Sequence, residues 1–296
     1  MVEMTTKMKT FKQHSKEEDK GYYINKDGVA VILEPVGNHK IDISKKKNIK
    51  ESGKHSFEEG EPFKDILNKN GGSDLMQGGH HFKELHKKIA KNTGDVTKDT
   101  KEAIHNYSQG SYNLNNHLIQ KHMVKHGKPV PKDHWKHLGQ AKKDKNGNQT
   151  PYKENIDHWE KEHSHLMSGY RPAGTHTTLY SGVSARTSNA VHASKDGIIS
   201  SPAHTSATLK PVVAQDFAQG KRKEQSPNVP HHYNVYHIQP HNKILHMQPH
   251  SDIQEEEEIS IKPNSKWKHF KTTHHAHDSK LGGNHIFHHF TSHDND

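Results

Sequence analysis

The chain has 296 residues, a hydrophobic fraction of only 28% and 21 glycines. That falls well short of the roughly 45–50% apolar share of an ordinary globular domain, and it excludes one packed core along the whole length. A net charge of +9 suits an anionic partner or nucleic acid without specifying either, and the absence of cysteine excludes disulfides, thiolate metal sites and a cysteine nucleophile.

Residues 1–77 are rich in Lys, Glu, Asn and Gly and are expected to form a basic, largely flexible arm. One ordered patch is expected within it: "GVAVILEPV" (28–36) reads as a strand, with a short hairpin around Asn25–Gly28. The first twenty residues lack the apolar stretch of a secretory signal, and no apolar run reaches the roughly 18 residues of a membrane span. A soluble protein without a signal peptide or a membrane partner is the expectation.

From residue 78 the period becomes helical. Phe82, Leu85 and Ile89 recur at three- and four-residue steps. In the next segment Thr97 or Asp99 caps a helix, with Glu102 as a capping-box partner for Asp99, and Ala103, Ile104 and Tyr107 share one face. Gly110 interrupts, and Leu114, Leu118 and Ile119 continue on a second helix. A polar loop (125–151) leads to another helix carrying Ile156, Trp159, His163 and Leu166.

After Gly169 the period switches to that of strands: "TTLYSGV" (177–183), "YNVYHI" (233–238), "KILHM" (243–247), "EISI" (258–261) and "NHIFHHF" (284–290). Between the first two, "LKPVVAQDFA" (209–218) reads as a short helix with Pro211 in its first turn and Val213, Ala214 and Phe217 facing inward. Trp267 and Phe270 are expected in the core. Helices first and strands after predict an α+β domain over residues 78–292.

The 32 histidines form runs such as "HHAHD" (274–278), "HIFHH" (285–289) and "PHHYNVYH" (230–237) with spacings that suit a divalent metal. Histidine this abundant produces such runs by chance, so no metal site is expected. No glycine loop for phosphate and no Ser-His-Asp pattern is present. The acidic run in "SDIQEEEEISI" (251–261) has two readings. All four glutamates could solubilise a loop. Alternatively, strand alternation turns Ile259 and Ile261 to the core and sets Glu256, Glu258 and Ser260 on the other face, leaving Glu255 and Glu257 solvated.

Four segments in order, "EAIHNYSQGSYNLNNHL", "TLYSGV", "HTSATLKPVVAQDFA" and "EEEEISIKPNSKW", resemble the mono-ADP-ribosyltransferase toxin domain over roughly residues 98–291. The likeness is greatest to clostridial binary-toxin enzymes and tailed-phage transferases. It implies N-terminal helices followed by a split two-sheet β-core around an NAD cleft, with NAD as substrate and no metal. It implies that Glu258 binds the ribose hydroxyls, that Glu256 orients and deprotonates the acceptor, and that Ser206 supports the nicotinamide pocket and the glutamate. Ser206, Ala207 and Thr208 occupy the three positions of the family's Ser-Thr-Ser motif. Tyr180, Ser181, Gly182, Thr208 and Phe217 complete the NAD side.

One departure stands out. The family strand of type aromatic-Arg-Gly becomes Tyr180-Ser181-Gly182, so Ser181 stands where the arginine belongs, and Arg186 or Arg171 would have to reach in from flanking loops. The resemblance further implies transfer of ADP-ribose to a host protein, on arginine, by a virion-packaged phage effector that acts in the host cytoplasm. The basic arm would then associate non-specifically with DNA. The rival expectation is a catalytically inactive, structural or nucleic-acid-associated phage head protein.

Overall fold

The computed structural model describes residues 21–33, 57–60, 65–66, 80–93, 95–128, 141–143, 149–151, 153–183, 186–219, 230–252, 258–275 and 285–293. The expected hairpin is present: β1 (Tyr22–Ile24) pairs antiparallel with β2 (Ala30–Ile32). Asn25 closes its turn by accepting the amides of Asp27 and Val29 on its side chain, each at 3.0 Å. Gly28 turns at φ +80°, where a side chain would be strained. A third strand, β3 (Phe57–Glu59), also lies in the N-terminal stretch.

Helix α1 (His80–Thr93) precedes α2 (Lys98–Lys125), whose N-cap is Thr97; its side chain accepts the Thr100 amide. The expected interruption at Gly110 is present: its non-helical backbone (φ −166°, ψ 55°) kinks this span and divides it into two helical stretches. Within the stretch expected as a polar loop, β4 (Ala141–Lys143) and β5 (Gln149–Pro151) form a small antiparallel pair. Helix α3 (Lys153–Gly169) packs against α2 through Leu114, Leu118, Trp159 and Leu166.

The remaining elements are β6 (Arg171–Pro172), β7 (Thr177–Val183), α4 (Arg186–Ala193), β8 (Ile198–Ser200), β9 (Thr205–Thr208), α5 (Pro211–Gln219), β10 (His231–Ile238), β11 (Lys243–His246), β12 (Glu258–Ile261), β13 (Lys266–His275) and β14 (His285–Ser292). They join one mixed ladder in the order β1-β2-β8-β13-β14-β10-β7-β9-β12-β11-β6, with β3 added on β13. The strands β1, β2 and β3 thus belong to the same sheet as the C-terminal half of the chain.

That ladder is nearly cut in two. β7 and β9 are joined by a single residue pair, Tyr180 opposite Thr208, whereas β12 and β9 pair over four residues and β10 and β7 over seven. Leu179, Tyr236, Trp267 and Phe290 from one side of this junction share a core with Ala207, Ile244, Ile259 and Ile261 from the other. The sheet therefore folds back on itself at β7–β9, and the inner faces of both halves bury one another. Helices α2 and α3 cover the outer face of β11–β12, where Leu245 and Met247 meet them. Helix α5 covers β7 and β10.

Histidine supplies part of the packing that the low apolar content withholds. On one face of β10, β13 and β14, His232 Nδ1 lies 3.1 Å from His288 Nε2, His288 continues to Thr272 at 3.3 Å, and Thr272 to His269 at 2.8 Å. On the opposite face His237, His289, Thr273 and His275 form a similar chain at 2.7–3.1 Å. These rings are tied to one another and to threonine hydroxyls. Among the described residues no group of three or more His, Asp or Glu is arranged to hold a metal, and no helix is long and apolar enough to cross a membrane. Trp267 is in the core as expected; Phe270 is not, being half exposed where a bulge between His269 and Lys271 shifts the register of β13.

Buried neutral histidines couple this fold to pH. Burial, aided by neighbouring histidines, pushes His232 and His246 down to about 4. The unfolded chain therefore takes up protons below about pH 6.5 that the folded chain refuses until about pH 4. Stability is full above that window and falls within it, by about 1.4 kcal/mol per pH unit for each such histidine. Thermal melts followed by circular dichroism should show Tm dropping by about 10 °C or more between pH 7 and pH 5.5. A flat Tm over that range would contradict the buried histidine network.

Candidate active site

The acidic run ends where β12 begins. Glu258 is the first residue of that strand and pairs with Thr208 of β9, Ile259 with Ala207, and Ser260 with Ser206. Alternation does the sorting: Ile259 and Ile261 enter the inner core, and Glu258 and Ser260 take the outer face. That face is not solvent. Glu258 is only 7% exposed and Ser260 fully buried, because α2 and α3 lie over them.

A pocket opens at the β7–β9 junction, where the two halves of the sheet diverge from their single pair. It is lined by Tyr180, Ser181, Gly182, Ser206, Ala207, Thr208, Phe217 and Glu258. Seven of these were singled out on sequence grounds, from segments up to 78 residues apart, and the fold gathers them in one place. Its empty space is about 270 Å³, part of it open to solvent.

Each wall has a local cause. Gly182 lets α5 lie directly on β7, because a Cβ there would collide with the Ala214 carbonyl and the Ala218 amide. That close approach sets Phe217 at the rim, where it is 37% exposed instead of facing inward as expected. The Thr208 hydroxyl accepts the Lys210 amide at 3.1 Å and turns the chain into α5. Ser181 is 2% exposed, and its hydroxyl donates to the Ser206 carbonyl at 2.8 Å, bolting β7 to β9 beside their one pair.

The residue in place of the expected arginine is therefore a buried structural link. Of the two substitutes, Arg171 is committed elsewhere: its Nη1 donates to the carbonyls of Ser168 at 2.6 Å and Tyr170 at 3.0 Å, closing the end of α3 at the sheet edge. Arg186 opens α4 three residues after the end of β7, and its side chain lies outside the described residues. Glu256, with Glu255 and Glu257, also lies outside them.

Beneath Glu258 and Ser206 is a buried polar network that the sequence reading did not assemble. Burial raises the pKa of the Tyr107 hydroxyl, the charge of nearby Glu258 raises it further, and hydrogen bonds from Ser206, Asn115 and Ser111 only partly offset this. Asn115 Nδ2 donates to the Tyr107 oxygen at 3.0 Å, and Tyr107 donates to the His204 carbonyl. The Tyr170 hydroxyl bonds Ser260 Oγ at 2.6 Å and His204 Nδ1 at 2.8 Å. Tyr107 and Asn115 belong to the quoted "EAIHNYSQGSYNLNNHL" segment and His204 opens the quoted "HTSATLKPVVAQDFA" segment, but no role was assigned to Asn115, Tyr170 or His204 from sequence.

Tyr107→Phe removes the hydroxyl shared by Ser206, Asn115 and the His204 carbonyl while keeping the ring. It should destabilise the fold by about 1–3 kcal/mol, since buried partners lose their bond. Denaturant unfolding measures this, and a neutral effect would show that the network does not hold the outer face.

No protein-family model and no curated protein matches the chain. Among solved structures it is similar to the C3 exoenzyme of Clostridium limosum, at 11% identity over 79% of this chain and 97% of that one, with a TM-score of 0.43. It is similar to Plx2a, an ADP-ribosyltransferase toxin from Paenibacillus larvae (11%, 80% and 99%, TM-score 0.44), and to the Vis toxin, an ADP-ribosyltransferase from Vibrio splendidus (15%, 75% and 90%, TM-score 0.40). In chain path, at low identity, this chain is similar to ADP-ribosyltransferase toxins.

Proposed function

We propose that this chain is an NAD-dependent mono-ADP-ribosyltransferase with Glu258 as its catalytic carboxylate. The observation that carries the reading is the placement of a buried carboxylate, a serine and an aromatic-X-Gly strand around one small pocket where the sheet splits. Breaking the bond between nicotinamide and ribose C1′ sends its electron pair to the departing nicotinamide and builds positive oxocarbenium character on the ribose. A carboxylate fixed against the ribose hydroxyls stabilises that charge where it develops. Ser206, on the neighbouring strand, lines the same wall; Tyr180, Gly182 and Phe217 bound the space for the nicotinamide ring.

The acceptor then bonds to C1′ and loses a proton, for which Glu256, two residues before Glu258, is the assigned base. Arginine on a host protein is the acceptor this pair of glutamates suits. Arg186, at the head of α4, is the assigned cation for the NAD diphosphate, and delivery by a phage particle into the host cytoplasm is the setting that the sequence likeness favours.

Ser181 favours a second reading. With its hydroxyl tied to Ser206 and no arginine on β7, the domain would keep the fold and lose turnover, serving as a binding or structural protein.

The test is transfer of label from labelled NAD to host lysate. The wild-type chain should label discrete bands, and Glu258→Gln should lower the rate by about 10²-fold or more at unchanged stability. Arg186→Ala should mainly raise KM. Absence of labelling and of NAD cleavage by the folded wild-type chain would select the inactive reading.

A further inference from the structure

His204 immediately precedes β9 and is 1% exposed, and all four of its polar groups are engaged by other elements. Its amide donates to Asn115 Oδ1 at 3.1 Å, and its carbonyl accepts the Tyr107 hydroxyl at 3.4 Å. Its Nδ1 lies 2.8 Å from the Tyr170 hydroxyl and its Nε2 3.0 Å from His163 Nδ1 on α3. Tyr170 continues to Ser260 Oγ at 2.6 Å and to the Ile261 carbonyl at 3.3 Å. A chain of side chains thus runs from the strand that bears Glu258, through Tyr170 and His204, to His163.

A neutral imidazole has one donor and one acceptor, so the two side-chain bonds of His204 must run in the same sense. With the proton on Nδ1, His204 donates to Tyr170 and accepts from His163, and Tyr170 passes its own proton toward Ser260 or the Ile261 carbonyl. With the proton on Nε2, His204 donates to His163 and accepts from Tyr170, which then accepts from Ser260. Both arrangements satisfy every member. Burial and the neighbouring His163 push His204 down to about 3, which keeps it neutral at physiological pH.

We infer that His204 is the positioning residue of the NAD site: its ring, clasped between His163 and Tyr170, holds Ser260 through Tyr170, so that Glu258 keeps its register against β9. The inference rests on the transferase reading. His204 is not among the residues that line the pocket, so it acts on NAD only through those neighbours. A histidine that merely filled core space would not need ring partners on both nitrogens, one from α3 and one from the residue that joins α3 to β6.

Three substitutions in the full chain separate positioning from packing. Asn places an amide near the Nδ1 position and keeps the bond to Tyr170. Gln reaches toward the Nε2 position and gives up Tyr170. Phe keeps the ring and loses both. Steady-state NAD cleavage and denaturant unfolding are measured on each. Gln and Phe should lower kcat about tenfold or more with KM within about twofold, while Asn retains kcat within about threefold, at comparable losses of stability. Equal kcat in all three, or losses that only follow stability, would overturn the positioning role and leave the transferase intact. A folded wild-type chain that does not cleave NAD would overturn the transferase reading and this inference with it.

Discussion

Four residue pairs between β9 and β12 hold the candidate site together. They set Glu258 opposite Thr208 and Ser260 opposite Ser206, so a slip of one residue would turn Glu258 into the inner core and Ile259 toward the pocket. Neither outcome is tolerable, since a carboxylate turned in among Ile244 and Leu179 would be unpaired. The inner face thus fixes the register by hydrophobic burial, and the outer face fixes it again through Tyr107, Tyr170 and His204. The single Tyr180–Thr208 pair lets the sheet open beside this rigid ladder, and the pocket is that opening.

How this chain builds a core from so few apolar residues follows from the same economy. His204, His232, His246, His269, His285 and His288 are buried, and with Tyr and Thr they occupy positions that Leu or Val hold in most sheets. The imidazoles of β10 and β14 bond one another in two pairs, His232 with His288 and His237 with His289. The cost is sensitivity to acid, because burial disfavours the protonated ring.

This usage also explains which parts of the fold were legible. Segments whose alternation was written in Ile, Leu, Val and Tyr, such as β7 and β12, were read with the right bounds. β13, the longest strand described, went unread because "KWKHFKTTHH" buries Trp267, His269, Thr272, Thr273 and His275, and only the first of these counts as apolar; the bulge after His269 then reverses its phase. The glutamate register was legible because Ile259 and Ile261 leave Glu258 one face. The polar network beneath it was not, because Tyr170 and His204 come from the end of a helix and the edge of a loop, and no local period marks a residue whose partners are 34 to 97 positions away. Ser181 drew notice only through the family resemblance, and its role as a bolt between β7 and β9 is a property of the fold alone.

The central claim is that NAD is held where the sheet divides, against Glu258. Hydrogen exchange of the backbone amides, measured by mass spectrometry with and without saturating NAD, tests it directly. Added protection should be confined to residues 177–183, 205–219 and 258–261 and be lost in Glu258→Gln or Gly182→Ala. Protection elsewhere, or none at any concentration of NAD, would contradict it.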